Sequence, residues 1–422
     1  MSFSQGVSGI NAASSNLDVI GNNIANSATV GYKSSRAEFA DIYAGAKGLG
    51  TKVAAITQSF SSGSIETTDR DLDLAINGDG FFRFNDGAQT TYSRNGQLTL
   101  TKDGFLANAS GGRLTGYQAQ ADDGSTGVVL TAENAQTARQ ALAGQPVNLE
   151  VPTGNMASKA TGGAGIVMNL DANSEAPANA IDPESDNTYN FTTTMTAYDS
   201  LGNARPINLY FAKAGAGNDW NVEAFRNIPN PSDPTQTIPQ SLGSETVSFN
   251  PNGTLIEQTP EQSLNINYPA TGGANQINFD LGFEGTTQFG DDFAVNDINQ
   301  DGYTSGALTG ISIDDDGSLI ASYSNDQTKL LGQVALANFR NTQGLQPVGD
   351  NGWVETSDSG QPLLGKAGTG QLGGLVAGAV ENSNVDLSSQ LVNMIVAQRN
   401  YQANAQTIKT QDQVLQTLVT LR

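Results

Sequence analysis

The sequence predicts a mainly β, multi-domain chain whose α-helical N- and C-termini form a coiled-coil-like terminal domain, with the other domains nested and discontinuous. Three observations carry this. Apolar residues recur every seventh position at both ends, a period of two governs the interior, and all fourteen prolines fall between Pro146 and Pro362. Sustained heptads describe a helix that buries a narrow stripe against another helix, and the proline distribution leaves both ends free of helix breakers.

The first helix is marked by Phe3, Ile10, Leu17 and Ile24 at intervals of seven, with Val7 beside them and Ala13 and Ile20 in a second seam. It frays through Asn22–Ser27 into Gly31-Tyr32, residue types that tolerate left-handed geometry. Residues 33–70 then read as a connector. From Asp71 the period becomes two, since Leu72, Leu74 and Ile76 alternate with Asp71, Asp73 and Ala75. Asn95-Gly96 and Asp103-Gly104 are hairpin-grade turn pairs. In the centre, strands read at Phe191–Tyr198, Ile207–Phe211, Thr246–Phe249 and Ile277–Leu281, and Pro229–Pro234 reads as a surface loop. The β pattern continues through Ile311–Ile313, Ser318–Ile320 and Val334–Phe339. Leu387, Met394, Tyr401, Ile408 and Leu415 open the last heptad series, with Leu391, Ala405 and Val419 in its second seam.

This layout goes out and comes back. It predicts a terminal helical domain from 1–32 and 380–422, a connector from 33–70 and 363–379, an inner β domain from 71–150 and 299–362, and an outer β domain from 151–298. The termini should lie side by side. Gly365, Gly368, Gly370, Gly373 and Gly374 make the returning connector the expected hinge.

Composition narrows the function. With 42 acidic against 20 basic residues the formal charge is −22, which argues against nucleic acid, whose binding rests on phosphate neutralisation. It equally disfavours an anionic membrane surface. Both ends are nearly neutral, so the acidity belongs to the middle. There is no cysteine and no histidine, which removes thiolate chemistry, the Ser-His-Asp arrangement and most zinc sites. No basic segment followed by an apolar one marks a cleavable signal peptide, and no run approaches the length of a membrane span.

The terminal helices are weak on their own. Gly6, Ser14, Gly21 and Ser27 flank the first stripe, and the last helix is rich in Gln and Asn. The expectation is terminal segments that are mobile in a free monomer and become helical when copies pack together, the alternative being an ordinary intramolecular helical hairpin.

Several separated motifs occur in an order that resembles the bacterial flagellar axial proteins, the family of rod and hook subunits. At the start these are Ser15-Asn16-Leu17-Asp18-Val19-Ile20-Gly21-Asn22-Asn23-Ile24-Ala25-Asn26 and Val30-Gly31-Tyr32-Lys33. Asp71–Phe82 and Tyr92-Ser93-Arg94-Asn95-Gly96 follow. At the end come Asn384–Ser388, Leu391–Ile395 and Gln398–Asn404. The large centre sides with the hook branch; a straight distal rod subunit, which lacks such an insertion, is the alternative. The resemblance implies a self-assembling, non-enzymatic subunit of a curved tube that transmits torque and serves as an export channel. It also implies as partners further copies of the chain, distal rod subunits, hook cap and hook-filament junction proteins, and the flagellar export apparatus. No cofactor is expected.

Other motifs compete weakly. Gly368-Thr369-Gly370-Gln371-Leu372-Gly373 fits a dinucleotide fingerprint, but no strand clearly feeds it. Asp297-Ile298-Asn299-Gln300-Asp301-Gly302 begins like a calcium loop, yet the twelfth position is Leu308 where a bidentate glutamate is needed. Asp314-Asp315-Asp316 reads as a solvated hairpin tip with at most a weak cation site. Paired carboxylates could serve glycoside hydrolysis in a secreted acidic enzyme, but no pair is singled out by spacing.

Overall fold

Without a proline before Pro146, the first segment runs as one helix, α1, over Phe3–Ala25. A short helix, α2, occupies Ala135–Ala141, and α3 spans the 34 residues Leu387–Thr420. No glycine or proline falls after Gly378, so nothing interrupts α3 over its length of about 51 Å. Asp386 caps it, accepting from the Ser388 and Ser389 amides and from the Ser389 hydroxyl; these bonds, the last first, hold its carboxyl below the usual range. The computed structural model describes residues 3–44, 47–121, 125–131, 134–215, 217–256 and 262–420.

The first difference from the sequence reading lies in the outgoing connector. Residues 35–44 and 47–58 form the two strands of a long antiparallel hairpin, β1 (Ser35–Ala44) and β2 (Lys47–Gln58), with register shifts at Glu38/Phe39 and Ile42/Tyr43. The hairpin lies along α1, tied by Gln5 Nε2 to the Gly48 carbonyl at 2.7 Å and by the Thr51 amide to Ser8 Oγ at 3.3 Å. Its strands lack a hydrophobic alternation strict enough to announce it.

The chain divides into two compact units. The first holds residues 1–153, 309–322 and 327–422. Its main sheet is organised around the strand Thr328–Asn338, buried without a break from Leu330 to Ala337 because neighbours flank both edges: Arg113–Gln118, Ser318–Tyr323, Phe81–Asn85 and Leu363–Lys366. Beneath it Phe81, Tyr92, Phe339 and Trp353 pack edge to face, with Phe60 against them.

The second unit holds residues 154–308 and 323–326. An antiparallel meander of Phe191–Tyr198, Ala204–Lys213, Asp219–Asn230 and Asp233–Ser248 forms one four-stranded sheet. In the other, Ser263–Tyr268, Ile277–Gly282, Gly163–Asn169 and Ala294–Gln300 stand in that order, with the second and third parallel. One core serves both, with Trp220, Phe211 and Phe283 wholly enclosed. The proline-rich stretch expected as a loop is instead the end of a two-stranded ribbon, where Pro229 pairs with Thr237 and Asn227 with Pro239. Proline survives there because these residues sit towards a sheet edge and a tight turn.

The unit boundaries also depart from the expected ones. Residues 299–308 belong with the second unit, since Ala294–Gln300 pairs with Gly163–Asn169 and bridges join Lys159 to Tyr303 and Met156 to Gly306. The terminal helices and both connectors fall within the first unit rather than forming layers of their own.

The returning connector is likewise built in. Gly365 pairs with Leu336 and Gly374 with Asn77, so both are rungs of sheets. Gly373 lies so close to Asn77 that a Cβ would meet its carbonyl oxygen at 2.5 Å, and only Gly368 and Gly370 occupy an open left-handed turn. The five glycines expected as a hinge therefore hold ladder and turn positions. No helix follows Gly368–Gly373, only the strand Gly374–Ala377, which removes the dinucleotide reading.

Candidate assembly surface

The helices α1 and α3 pack on each other in antiparallel fashion within one chain. Gly6 lies under Ile408, Gly9 under Asn404, and Asn23 Nδ2 reaches Gln390 Oε1 at 3.4 Å. A Cβ on Gly9 would sit 2.6 Å from Asn404 Oδ1, so the absent side chain is what lets the helices approach.

This pairing splits the two seven-residue seams of α1. Gly6, Ala13 and Ile20 are buried, together with Ala12 and Val19. The stripe read as primary has another fate: Ile10, Leu17 and Ile24 are half-buried, Val7 is exposed, and Phe3 is 54% exposed. The seam of Gly6, Ala13 and Ile20 is consumed inside the chain, and the seam of large residues is only partly covered. Small side chains suit close packing, whereas a bulky row needs a groove that α3 does not supply.

In α3, Met394 and Ile408 are half-buried towards the pair and Ala397 is fully buried. Leu387, Leu391, Tyr401 and Leu415 are exposed. Val419 lies in the helix, and its side chain is outside the described residues. The sequence reading missed a second apolar row: Val392 is 60% exposed, and Ile395 and Val396 stand beside it at 51% each. With Leu391 they cover the side of α3 turned away from Ala397, and the i, i+4 spacing of Leu391–Ile395 and Val392–Val396 was the available signal. The hairpin adds Phe39, Tyr43 and Ile56, also exposed. So large a share of uncovered apolar side chains makes this the candidate assembly surface.

Where the helices join the β structure, a buried charge cluster holds the chain ends. Glu381 Oε1 accepts from Lys33 Nζ at 2.7 Å and from the Gly63 amide at 2.8 Å, while Oε2 accepts from Arg94 Nη1 at 3.1 Å. Lys33 donates also to the Ser61 carbonyl and Arg94 Nη2 to that of Gly78. Burial pushes the Lys33 ammonium and the Arg94 guanidinium below their usual ranges, and the Glu381 carboxylate opposes this in both. Around the cluster, Asn384 Oδ1 accepts from the Ser34 amide, and its Nδ2 donates to the Ser59 and Ser61 carbonyls. Asn23 likewise pairs through both amide atoms with the backbone of Ser35. Lys33, Arg94 and Asn384 lay in motifs the sequence reading had marked, yet their meeting with Glu381 had no local signature.

The expected weak cation sites have protein counter-charges. Arg139 Nη2 lies 2.8 Å from Asp314 Oδ2 and its Nη1 lies 3.3 Å from Asp316 Oδ2, while the Asp315 carboxylate accepts from the Ala377 amide. Asp297 stands on the strand Ala294–Gln300, and Asp301 takes Lys159 Nζ and the Gly162 and Gly163 amides. Among the described residues no group of three or more potential metal ligands gathers, and no helix is long and apolar enough to cross a membrane.

Comparison with known proteins matches four successive parts of the chain. Residues 4–33 match the family described as flagella basal body rod protein, and residues 376–421 match the flagellar basal body rod FlgEFG protein C-terminal family. Residues 75–168 match the flagellar hook protein FlgE/F/G D1 domain and residues 169–303 the flagellar basal body protein FlaE D2 domain. The flagellar hook protein FlgE of Escherichia coli K12 is 47% identical over 430 residues, covering 100% of both chains. That of Salmonella typhimurium is 47% identical over 428 residues, again with 100% of both covered, and that of Borreliella burgdorferi is 32% identical over 450 residues, covering 100% of this chain and 99% of its own. In fold, the crystal structure of Helicobacter pylori flagellar hook protein FlgE2 is similar with a TM-score of 0.54 at 13% identity, covering 74% of this chain and 98% of the other. Signature helices at both ends, two β units between them and identity along the whole length agree: this chain belongs to the flagellar hook protein family.

Proposed function

We propose that this chain is the structural subunit of the flagellar hook, polymerising through its terminal helices into a curved, flexible tube that joins rod to filament and encloses the export channel. The observation that carries this is the division of labour on the helix pair. One seam, Gly6, Ala13 and Ile20, closes the chain on itself, while Phe3 and Val7 on α1 and Leu391, Val392, Ile395 and Val396 on α3 stay uncovered. A polymer supplies each row with a neighbour's helix, giving the continuous packed layer that lengthwise stiffness requires.

Bending requires the contacts outside that layer to break and reform at little cost. The second unit suits this, since its residues include nineteen acidic against four basic ones, Lys159, Arg205, Lys213 and Arg226. All four are engaged within the unit: Arg205 with Asp199, Lys159 with Asp301, Lys213 with the Ala172 and Ser174 carbonyls, and Arg226 with Gln240 and the Tyr268 ring. Contacts between such surfaces are wet and weak rather than apolar. In this reading the helices line the inner tube and the β units supply its outer layers. Delivery is by the flagellar export route, with rod, cap and junction proteins as neighbours.

The test is polymerisation of purified protein. The parent should form curved tubes by electron microscopy, and Val392→Asp with Val396→Asp should abolish them while leaving the far-ultraviolet spectrum intact, because both side chains face solvent in the single chain. Straight tubes would favour a distal rod role. Undiminished polymerisation of the double variant would refute this surface.

A further inference from the structure

The buried cluster has an order in sequence as well as a place in space. Lys33 and Arg94 precede their common partner by 348 and 287 residues. Glu381 ends the short strand Ala379–Glu381, which pairs with Ile65–Thr67, and its backbone carbonyl accepts from the Gly31 amide at 2.7 Å. The three side chains are 2% exposed or less. Remove residues 379–384 and the same pocket holds two cations, one of them 5.5 Å from the Phe81 ring centroid, facing among the described residues the Ser61 and Gly78 carbonyls and the exposed Asp79. Enclosing two unneutralised charges is among the most unfavourable changes a protein interior can undergo.

We infer that Lys33, Arg94 and Glu381 form a completion lock: the junction between the terminal helices and the first unit closes only when the returning segment delivers the Glu381 carboxylate. Until then the charge on Lys33 and Arg94 holds the junction open, so α1 is not set in place alone. Once Glu381 arrives, Asn384 and Asn23 fasten the two sides, and α1 and α3 take their register together. A chain grows from its N-terminus, so the lock ties exposure of a finished helix pair to completion of the chain. That this pair is the assembly surface rests on the function proposed above; the closure itself does not.

The experiment is hydrogen exchange by mass spectrometry on the full-length chain, following peptides that contain the Gly31 amide, whose acceptor, the Glu381 backbone carbonyl, is kept in every variant. Glu381→Gln should raise their exchange rate at least tenfold while the strand around Trp220 in the second unit stays as in the parent. The triple variant Lys33→Met, Arg94→Met, Glu381→Met, which replaces the charges by apolar groups of similar length, should bring exchange back to within about threefold of the parent. Parent-like protection in Glu381→Gln would overturn the lock. So would a triple variant as unprotected as Glu381→Gln, since the carboxylate's charge would then not be what closes the junction. Sedimentation of the same samples separates the two ideas, because a parent that closes but never polymerises sinks the hook reading alone.

Discussion

Lys33 Nζ and Glu381 Oε1 lie 2.7 Å apart, although 348 residues separate them along the chain and neither side chain reaches solvent. Replacing Lys33 by Met removes one cation and leaves Glu381 with Arg94 and the Gly63 amide. Breaking a buried pair from one side is expected to destabilise the first unit by about 3 kcal/mol. Urea unfolding in a Trp220→Phe background, where Trp353 alone reports, measures it. A change below about 0.5 kcal/mol would show the pair to be energetically idle.

Gly31 has φ of +72°, and a Cβ there would lie 2.6 Å from the Asn95 nitrogen and 2.8 Å from the Arg94 carbonyl carbon. Both obstacles are backbone and cannot swing aside. Gly31→Ala should therefore cost at least about 2 kcal/mol in the same assay, combining the left-handed penalty with overpacking.

Two glycines of α1 predict changes of opposite sign. Gly9 faces the Asn404 side chain at under 3 Å, whereas a Cβ on Gly21 meets nothing within 4 Å. Gly9→Leu is expected to force α1 from α3 and lose about 1–3 kcal/mol, while Gly21→Ala should gain about 0.5–1 kcal/mol through helix propensity. Thermal unfolding followed at 222 nm distinguishes them, and equal effects would contradict the packing described.

Asp199 supplies a pH signature for the second unit. Burial alone would raise its carboxyl, but bonds from Asn203, Arg205 and the Leu201 amide outweigh it and hold the group at about 2. A carboxyl depressed by folding stabilises above its unfolded value near 3.8 and loses that contribution as pH falls towards 2. Trp220 fluorescence should thus show stability falling between about pH 4 and pH 2. Asp199→Asn should be less stable at neutral pH and show a shallower fall; a fall as steep as the parent's would exclude Asp199 as a contributor.

The strands that sequence alone located best were those with local alternation and clean turns. Phe191–Tyr198 has the expected limits, and Ile277–Gly282 is longer by one residue. The hairpin of β1 and β2 was invisible because α1, rather than a strict period of two, specifies which of its residues are covered. The ribbon carrying Pro229 and Pro234 was hidden by residues that usually end strands. Of the proposed assembly surface, Phe3, Leu387 and Leu391 were legible from heptads, and Val392 and Val396 were not, since they stand outside the seven-residue register.

By itself the sequence determined that both ends are helical, that the interior is β, and that chemistry needing histidine or cysteine is absent. These follow from short-range properties: spacing, helix breakers and composition. Only the tertiary structure decided which seam of α1 is spent within the chain, that Gly365 and Gly374 of the returning segment are sheet rungs, and that Lys33, Arg94 and Glu381 share one buried site. A seven-residue stripe states that a helix must be covered but not by whom, and partners hundreds of residues apart leave no pattern in the segments between them.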